Sequence, residues 1–222
     1  MTTRERAELS AKVNRCLIHK IRQMKLILTG FSSFSNITKN PTEEIIEILQ
    51  NEDYKLDSID IEMKVLQVSI KCCDSFIQKH KNSGNNDVIL IHLGVDGSGT
   101  HYNLEKCAYN NKDFRIPDVD GNQPTAELIS LDQSLDQPLQ TTLSIDTMIS
   151  VLSLQGYSVK ESTDPGRYLC NYIYYNSLYH IHNNSLALFI HVPPKEVFSI
   201  DNQVSFIKHV ISIIVNDQLL VG

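Results

Sequence analysis

The chain has 222 residues, with 20 Lys and Arg against 26 Asp and Glu, a net charge of −6 near neutral pH. That acidic balance, without a basic stripe interleaved with aromatics, excludes an electrostatic nucleic-acid binder, and no apolar run is long enough to cross a membrane. The length suits one domain with a full-sized core, and the five cysteines form no CxxC pair, so neither a zinc site nor a disulfide framework is indicated and a reducing, cytoplasmic setting is expected.

In chain order, residues 1–23 read as a basic amphipathic extension. Arg4, Arg6, Lys12, Arg15, Lys20 and Arg22 face only Glu5 and Glu8, and Leu9, Val13, Leu17 and Ile21 fall on one helical face. Charges interrupt it too early for a secretory signal; packing on the domain, tethering and organelle targeting stay open. The domain is then expected over residues 24–222. Lys25–Thr29 reads as a first strand ending at Gly30, followed by the loop Phe31-Ser-Ser-Phe34-Ser. A helix starts at Asn40-Pro41, with proline and Glu43, Glu44 in its first turn. Residues 59–68 alternate as a half-buried strand, a helix covers 72–79, and Asp87–Leu93 is a continuous apolar strand typical of a parallel sheet centre. Residues 103–108 carry Glu105 in a helical-type surface pattern, where a glutamate is ordinarily solvated. Residues 110–125 are loop-like. A helix over 144–155 ends at Gly156, Tyr157–Lys160 is a short strand, Leu186–Pro193 is a buried strand, and a helix over 204–219 closes the chain. Strands alternating with helices predict a single-domain, three-layer α/β/α sandwich with a mostly parallel central sheet and its site at strand C-termini.

Cys170 is the strongest chemical signal. It follows the loop Ser162-Thr-Asp-Pro-Gly166 at the start of a helical run, where unsatisfied N–H groups and the helix dipole favour thiolate. His191 stands at the end of an apolar strand, as a base delivered to a nucleophile does; a buried structural cysteine and a satisfied histidine are the alternative. Glu105 follows the most apolar strand, where a carboxylate can accept the His191 Nδ1–H and fix its tautomer. Two other patterns carry less. Gly94-x4-Gly99 imitates a phosphate loop but is followed by Thr100-His101 rather than lysine, and His180-Ile-His182 has the wrong period for two same-face metal ligands.

Four separated blocks carry a resemblance: Thr29-Gly-Phe31-x-x-Phe34-x5-Asn40-Pro41; His92-Leu-Gly94-Val-x-Gly97 with Leu104-Glu105-Lys-Cys-Ala108; Gly166-Arg-Tyr-Leu-Cys170; and Phe189-Ile-His191-Val-Pro-Pro. In this order they resemble pyroglutamyl-peptidase I, over roughly residues 25–215. The resemblance implies a cysteine exopeptidase (omega peptidase) acting on peptides with N-terminal pyroglutamate, without metal or cofactor. It implies Cys170 as nucleophile, His191 as base and acid, and Glu105 as the orienting carboxylate. Phe31, Phe34, Ile116, Tyr168 and Leu169 are implied around the lactam ring, with Arg115 near the developing oxyanion. The alternative is a non-catalytic relative that binds peptides or partners, and the oligomeric state stays open. The sequence departs from the family in the first loop, where Ser32, Ser33 and Ser35 replace the usual Gly-Pro-Gly pattern. If those positions demand positive φ, strain of about 1 kcal/mol each is expected.

Overall fold

Apolar alternation organises the central sheet. In β3 (Val88–Val95), Ile89, Ile91 and Leu93 join one core cluster while Val88 and Leu90 join another on the opposite face. β8 (Leu186–Val192) repeats the pattern, with Leu186, Leu188, Ile190 and Val192 on one side and Ala187 and Phe189 on the other. Strands buried on both faces need a layer of helices above and below. The computed structural model describes residues 24–34, 39–56, 59–81, 88–135, 137–180 and 185–221; the readings of residues 1–23, Ser35 and His182 lie outside them.

The remaining elements, in chain order, are β1 (Lys25–Phe31), α1 (Pro41–Asn51), β2 (Asp60–Leu66), α2 (Ile70–His80), β4 (Tyr102–Glu105), β5 (Cys107–Tyr109), β6 (Pro138–Gln140), α3 (Ile145–Leu154), β7 (Val159–Ser162), α4 (Leu169–His180) and α5 (Ile200–Val221). The main sheet runs β2-β1-β3-β8-β4-β7, and β5 with β6 forms a separate hairpin. All neighbours in the main sheet are parallel except β8 and β4. Apolar side chains of α1, α3 and α5 fill one core, and those of α2 and α4 fill the other. This is the expected three-layer, mostly parallel α/β fold. Among the described residues no helix is long and apolar enough to cross a membrane.

Local chemistry sets the boundaries near the site. Asn40 caps α1 by accepting from Thr42 N–H at 3.1 Å, with Pro41 in the first helical position. Such a cap is worth about 1 kcal/mol. Gly30 is obligatory here, because a Cβ would stand 2.4 Å from the Thr42 carbonyl oxygen where α1 crosses β1. His92 accepts and donates between Thr29 Oγ1 at 2.7 Å and Ser177 Oγ at 2.8 Å, tying β1, β3 and α4 together. Burial drops its pKa to about 3, so it holds this bridge as a neutral imidazole.

Three readings are corrected. Residues 102–105 are a strand rather than a helical surface segment, because Tyr102 and Leu104 are fully buried in alternation and β7 and β8 supply the ladders on either side. The closing helix begins at Ile200, four residues earlier than its apolar pattern marks. The serine loop carries no left-handed strain at Ser32 or Ser33, since the positive-φ non-glycine residues described are Asp53 and Ala126. Ser32 N–H bonds Leu66 O at 2.9 Å, and both the N–H and hydroxyl of Ser33 donate to Glu43 Oε2 at 3.0 Å.

Candidate active site

The nucleophile position is built by the loop before α4. Gly166 adopts φ +76°, a conformation that L side chains resist. Asp164 Oδ1 accepts from Gly166 N–H at 3.1 Å and from Arg167 Nη1 at 2.6 Å, while the Arg167 guanidinium lies 4.0 Å from the Tyr109 ring. The chain then enters α4 at Leu169, which makes Cys170 its second residue. Tyr172 N–H to Tyr168 O, at 3.0 Å, is the first backbone bond closing into the helix; the Leu169 and Cys170 amides ahead of it have no backbone acceptor among the described residues. They remain available to an anion.

Strand period places the partners. Side chains of alternate residues share a face, so Phe189 and His191 on β8 point to the layer that holds α4. In β4, Tyr102 and Leu104 occupy the other core, which turns Asn103 and Glu105 toward α4 as well. The antiparallel register sets Glu105 opposite Phe189 and Asn103 opposite His191, so Glu105 is the diagonal neighbour of the imidazole. Glu105 Oε1 accepts from His191 Nδ1 at 2.7 Å. That bond leaves Nε2 for Cys170, whose charge acts on the imidazole. Glu105 is 1% exposed, and its backbone oxygen accepts from Tyr174 OH at 2.8 Å, tying α4 to β4 beneath the site.

The electrostatics follow from this geometry. Burial acts to lower the His191 pKa, but the charge of Cys170, joined by the charge and hydrogen bond of Glu105, overcomes it and raises the value to about 10. The imidazole is therefore held protonated near neutral pH beside a sulfur and a carboxylate. Below it lies Phe189, with its ring centroid 4.8 Å from that of His191. Gly94 completes the arrangement: a Cβ there would meet Phe189 Cζ at 2.7 Å and Cys170 Sγ at 3.0 Å. The three catalytic candidates open on one cavity of about 770 Å³ at the C-terminal ends of the strands.

Comparison with known proteins decides the family. The sequence model of the pyroglutamyl peptidase family matches residues 24–214. The chain belongs to this family. It is 31% identical over 172 residues to a pyrrolidone-carboxylate peptidase of Thermococcus litoralis, covering 76% of each chain. A pyrrolidone-carboxylate peptidase of Fusobacterium nucleatum is 32% identical over 172 residues, 76% of this chain and 78% of its own. Among solved structures, pyrrolidone carboxyl peptidase from Pyrococcus furiosus superposes with a TM-score of 0.79 at 27% identity, covering 88% of this chain and 100% of its own.

Every side chain that the resemblance to pyroglutamyl peptidases marks for the pocket lines this cavity. Phe31, Phe34, Ile116, Tyr168 and Leu169 supply apolar wall, and Arg115 stands exposed at its rim. Phe34 stacks on Tyr168 with centroids 5.9 Å apart, and Phe114 packs edge-on to Tyr168 at 4.6 Å. Tyr168 OH donates to Pro117 O at 3.1 Å, joining the nucleophile loop to the 115–118 segment.

Sequence reasoning missed the supports. Asn171 is fully buried; its Oδ1 accepts from Tyr109 N–H at 2.8 Å, and its Nδ2 donates to Tyr109 O at 2.9 Å and Asn111 O at 2.8 Å. An asparagine beside the nucleophile at a helix start was the available signal. The sequence marks Asp118 only as part of the loop over residues 110–125. Its carboxylate accepts from the Ile70, Asp120 and Asn122 amides, and these bonds outweigh its burial and lower its pKa. The His180 of the discounted His-x-His pattern ends α4 and packs edge-on to Tyr179.

Proposed function

We propose that this chain is a cysteine exopeptidase, an omega peptidase that removes N-terminal pyroglutamate (5-oxoproline) from peptides, with residues 24–222 acting as one catalytic unit. The observation that carries the reading is the convergence of Cys170, His191 and Glu105 at the mouth of an apolar cavity in a chain of the pyroglutamyl peptidase family.

A pyroglutamyl ring has no free α-amine, so its pocket needs no carboxylate to bind one. It needs polar backbone for the lactam and flat apolar walls, and the stacked Phe34 and Tyr168 rings supply such walls. The Cys170 thiolate attacks the carbonyl after the ring and forms a tetrahedral oxyanion. The free amides at the start of α4 face that charge and Arg115 supports it from the rim; loss of one such donor costs about 3 kcal/mol in the transition state. His191, steadied by Glu105, gives its proton to the departing amine and then takes one from the water that hydrolyses the thioester.

Cys72, Cys73, Cys107 and Cys170 are all free thiols, and the mechanism depends on one of them; we therefore place the enzyme in a reducing compartment, the cytoplasm. The test is release of the arylamine from a pyroglutamyl-arylamide by reduced protein. Turnover should stop with Cys170→Ala and after alkylation. Folded wild-type protein that never cleaves this substrate would overturn the assignment.

A further inference from the structure

Resting on the peptidase reading, we propose that Asp96 is a specificity-determining residue for the leaving peptide, favouring substrates with lysine or arginine immediately after the pyroglutamyl residue. The apolar wall formed by Phe31, Phe34 and Val68 lies over the β1 and β2 end of the sheet, where the ring fits. Asp96 lines the same cavity from the turn after β3. Its backbone N–H donates to Val192 O at 2.9 Å, the residue after His191, so it sits against the strand that delivers the proton to the leaving amine. The residue joined to that amine must pass this turn.

The carboxylate is fixed but not neutralised. Its Oδ1 accepts from Ser98 N–H at 3.0 Å and Ser98 Oγ at 2.9 Å, which holds the side chain in place. No lysine, arginine or histidine of the described residues forms an ion pair with it. Of the other charges along the cavity, Asp113 also lacks an ion pair among the described residues, but its N–H donates to Arg167 O at 3.0 Å, which places it with the nucleophile loop rather than beside Val192. Glu105 is bound to His191, and Asp164 to Arg167 at 2.6 Å. Arg115, exposed at the rim, is the support for the oxyanion. A partly exposed carboxylate on the leaving-peptide side favours a cation there and disfavours an anion.

The experiment compares kcat/KM for three pyroglutamyl tripeptide amides bearing lysine, norleucine or glutamate in the second position. Wild type should prefer lysine to norleucine by about three- to fivefold, the worth of a partly exposed ion pair, and glutamate should be poorer than norleucine. Asp96→Asn keeps an acceptor for Ser98 and removes the charge, so the lysine-to-norleucine ratio should fall to near one. Because ratios are taken within each variant, any loss common to all three peptides cancels. In wild type the preference should also shrink as salt is raised. Equal cleavage of all three peptides, a preference insensitive to salt, or one retained by Asp96→Asn overturns the role of Asp96 while leaving the peptidase intact. Failure to cleave even the norleucine peptide overturns the peptidase reading, and this inference with it.

Discussion

Replacing Gly94 by alanine should disable the site with all three catalytic side chains left in the sequence. The new methyl carbon would sit 2.7 Å from Phe189 Cζ, 2.9 Å from its Cε1 and 3.0 Å from Cys170 Sγ. Ordinary carbon contacts lie near 3.5–4.0 Å, so the overlap with the ring is about 1 Å. Phe189 is fully buried and backed by Tyr174 at 5.9 Å, which leaves it little room to retreat. The sulfur, half-buried and open to the cavity, is the group that yields. Overpacking of this kind costs about 1–3 kcal/mol of stability. A displacement of the nucleophile approaching 1 Å costs on the order of 100-fold in rate. The assay pairs kcat/KM on a pyroglutamyl-arylamide with the thermal midpoint and the rate of thiol alkylation. Gly97→Ala, in the turn after β3, is the control, because a Cβ there meets nothing within 4 Å. Wild-type turnover in Gly94→Ala, or equal losses in both variants, would refute the argument that this glycine exists to seat the sulfur.

Three further outcomes follow from the bonding around the site. In Glu105→Gln the carboxylate charge that helps raise the His191 pKa to about 10 is gone, so the alkaline limb of the kcat/KM profile should move to lower pH; a limb that stays put would show that Glu105 does not act on the imidazole. Asp118→Ala leaves the Ile70, Asp120 and Asn122 amides without their acceptor and should cost about 1–2 kcal/mol in denaturant unfolding. Since the Asp118 pKa is lowered on folding, its contribution is present above the ordinary aspartate value and disappears as pH falls through the lowered one; the gap between wild type and variant should close in acid. Tyr174→Phe removes the donor to Glu105 O, with an expected loss of about 1 kcal/mol and a larger effect on kcat than on KM, because the bond steadies a group that touches no substrate.

The fold was legible where pattern and length agreed. The continuous apolar runs at β3 and β8, the Asn40-Pro41 helix start and the glycine after α3 each had one physical reading. The site was legible in its reacting groups, since a cysteine at a helix start and a histidine at a strand end are informative by type and position. What failed was local. Tyr102–Glu105 is a four-residue strand whose partners, β7 and β8, lie more than 50 and more than 80 residues away, so its Tyr-Asn-Leu-Glu sequence could not reveal the ladders they supply. The three-residue strands of the β5–β6 hairpin carry too little pattern to be seen. At Ser32 and Ser33 the family's glycines suggest a need for positive φ that neither residue meets, whereas Gly30 is sterically required by the Thr42 carbonyl from the next helix.

The Asn171 amide ties the residue beside the reactive thiol to a hairpin whose strands have only three residues each. Such a short ribbon should loosen well before the six-stranded sheet gives way. On warming, catalysis should accordingly fade while circular dichroism still reports an intact protein, and cooling should restore it as long as the sheet has survived.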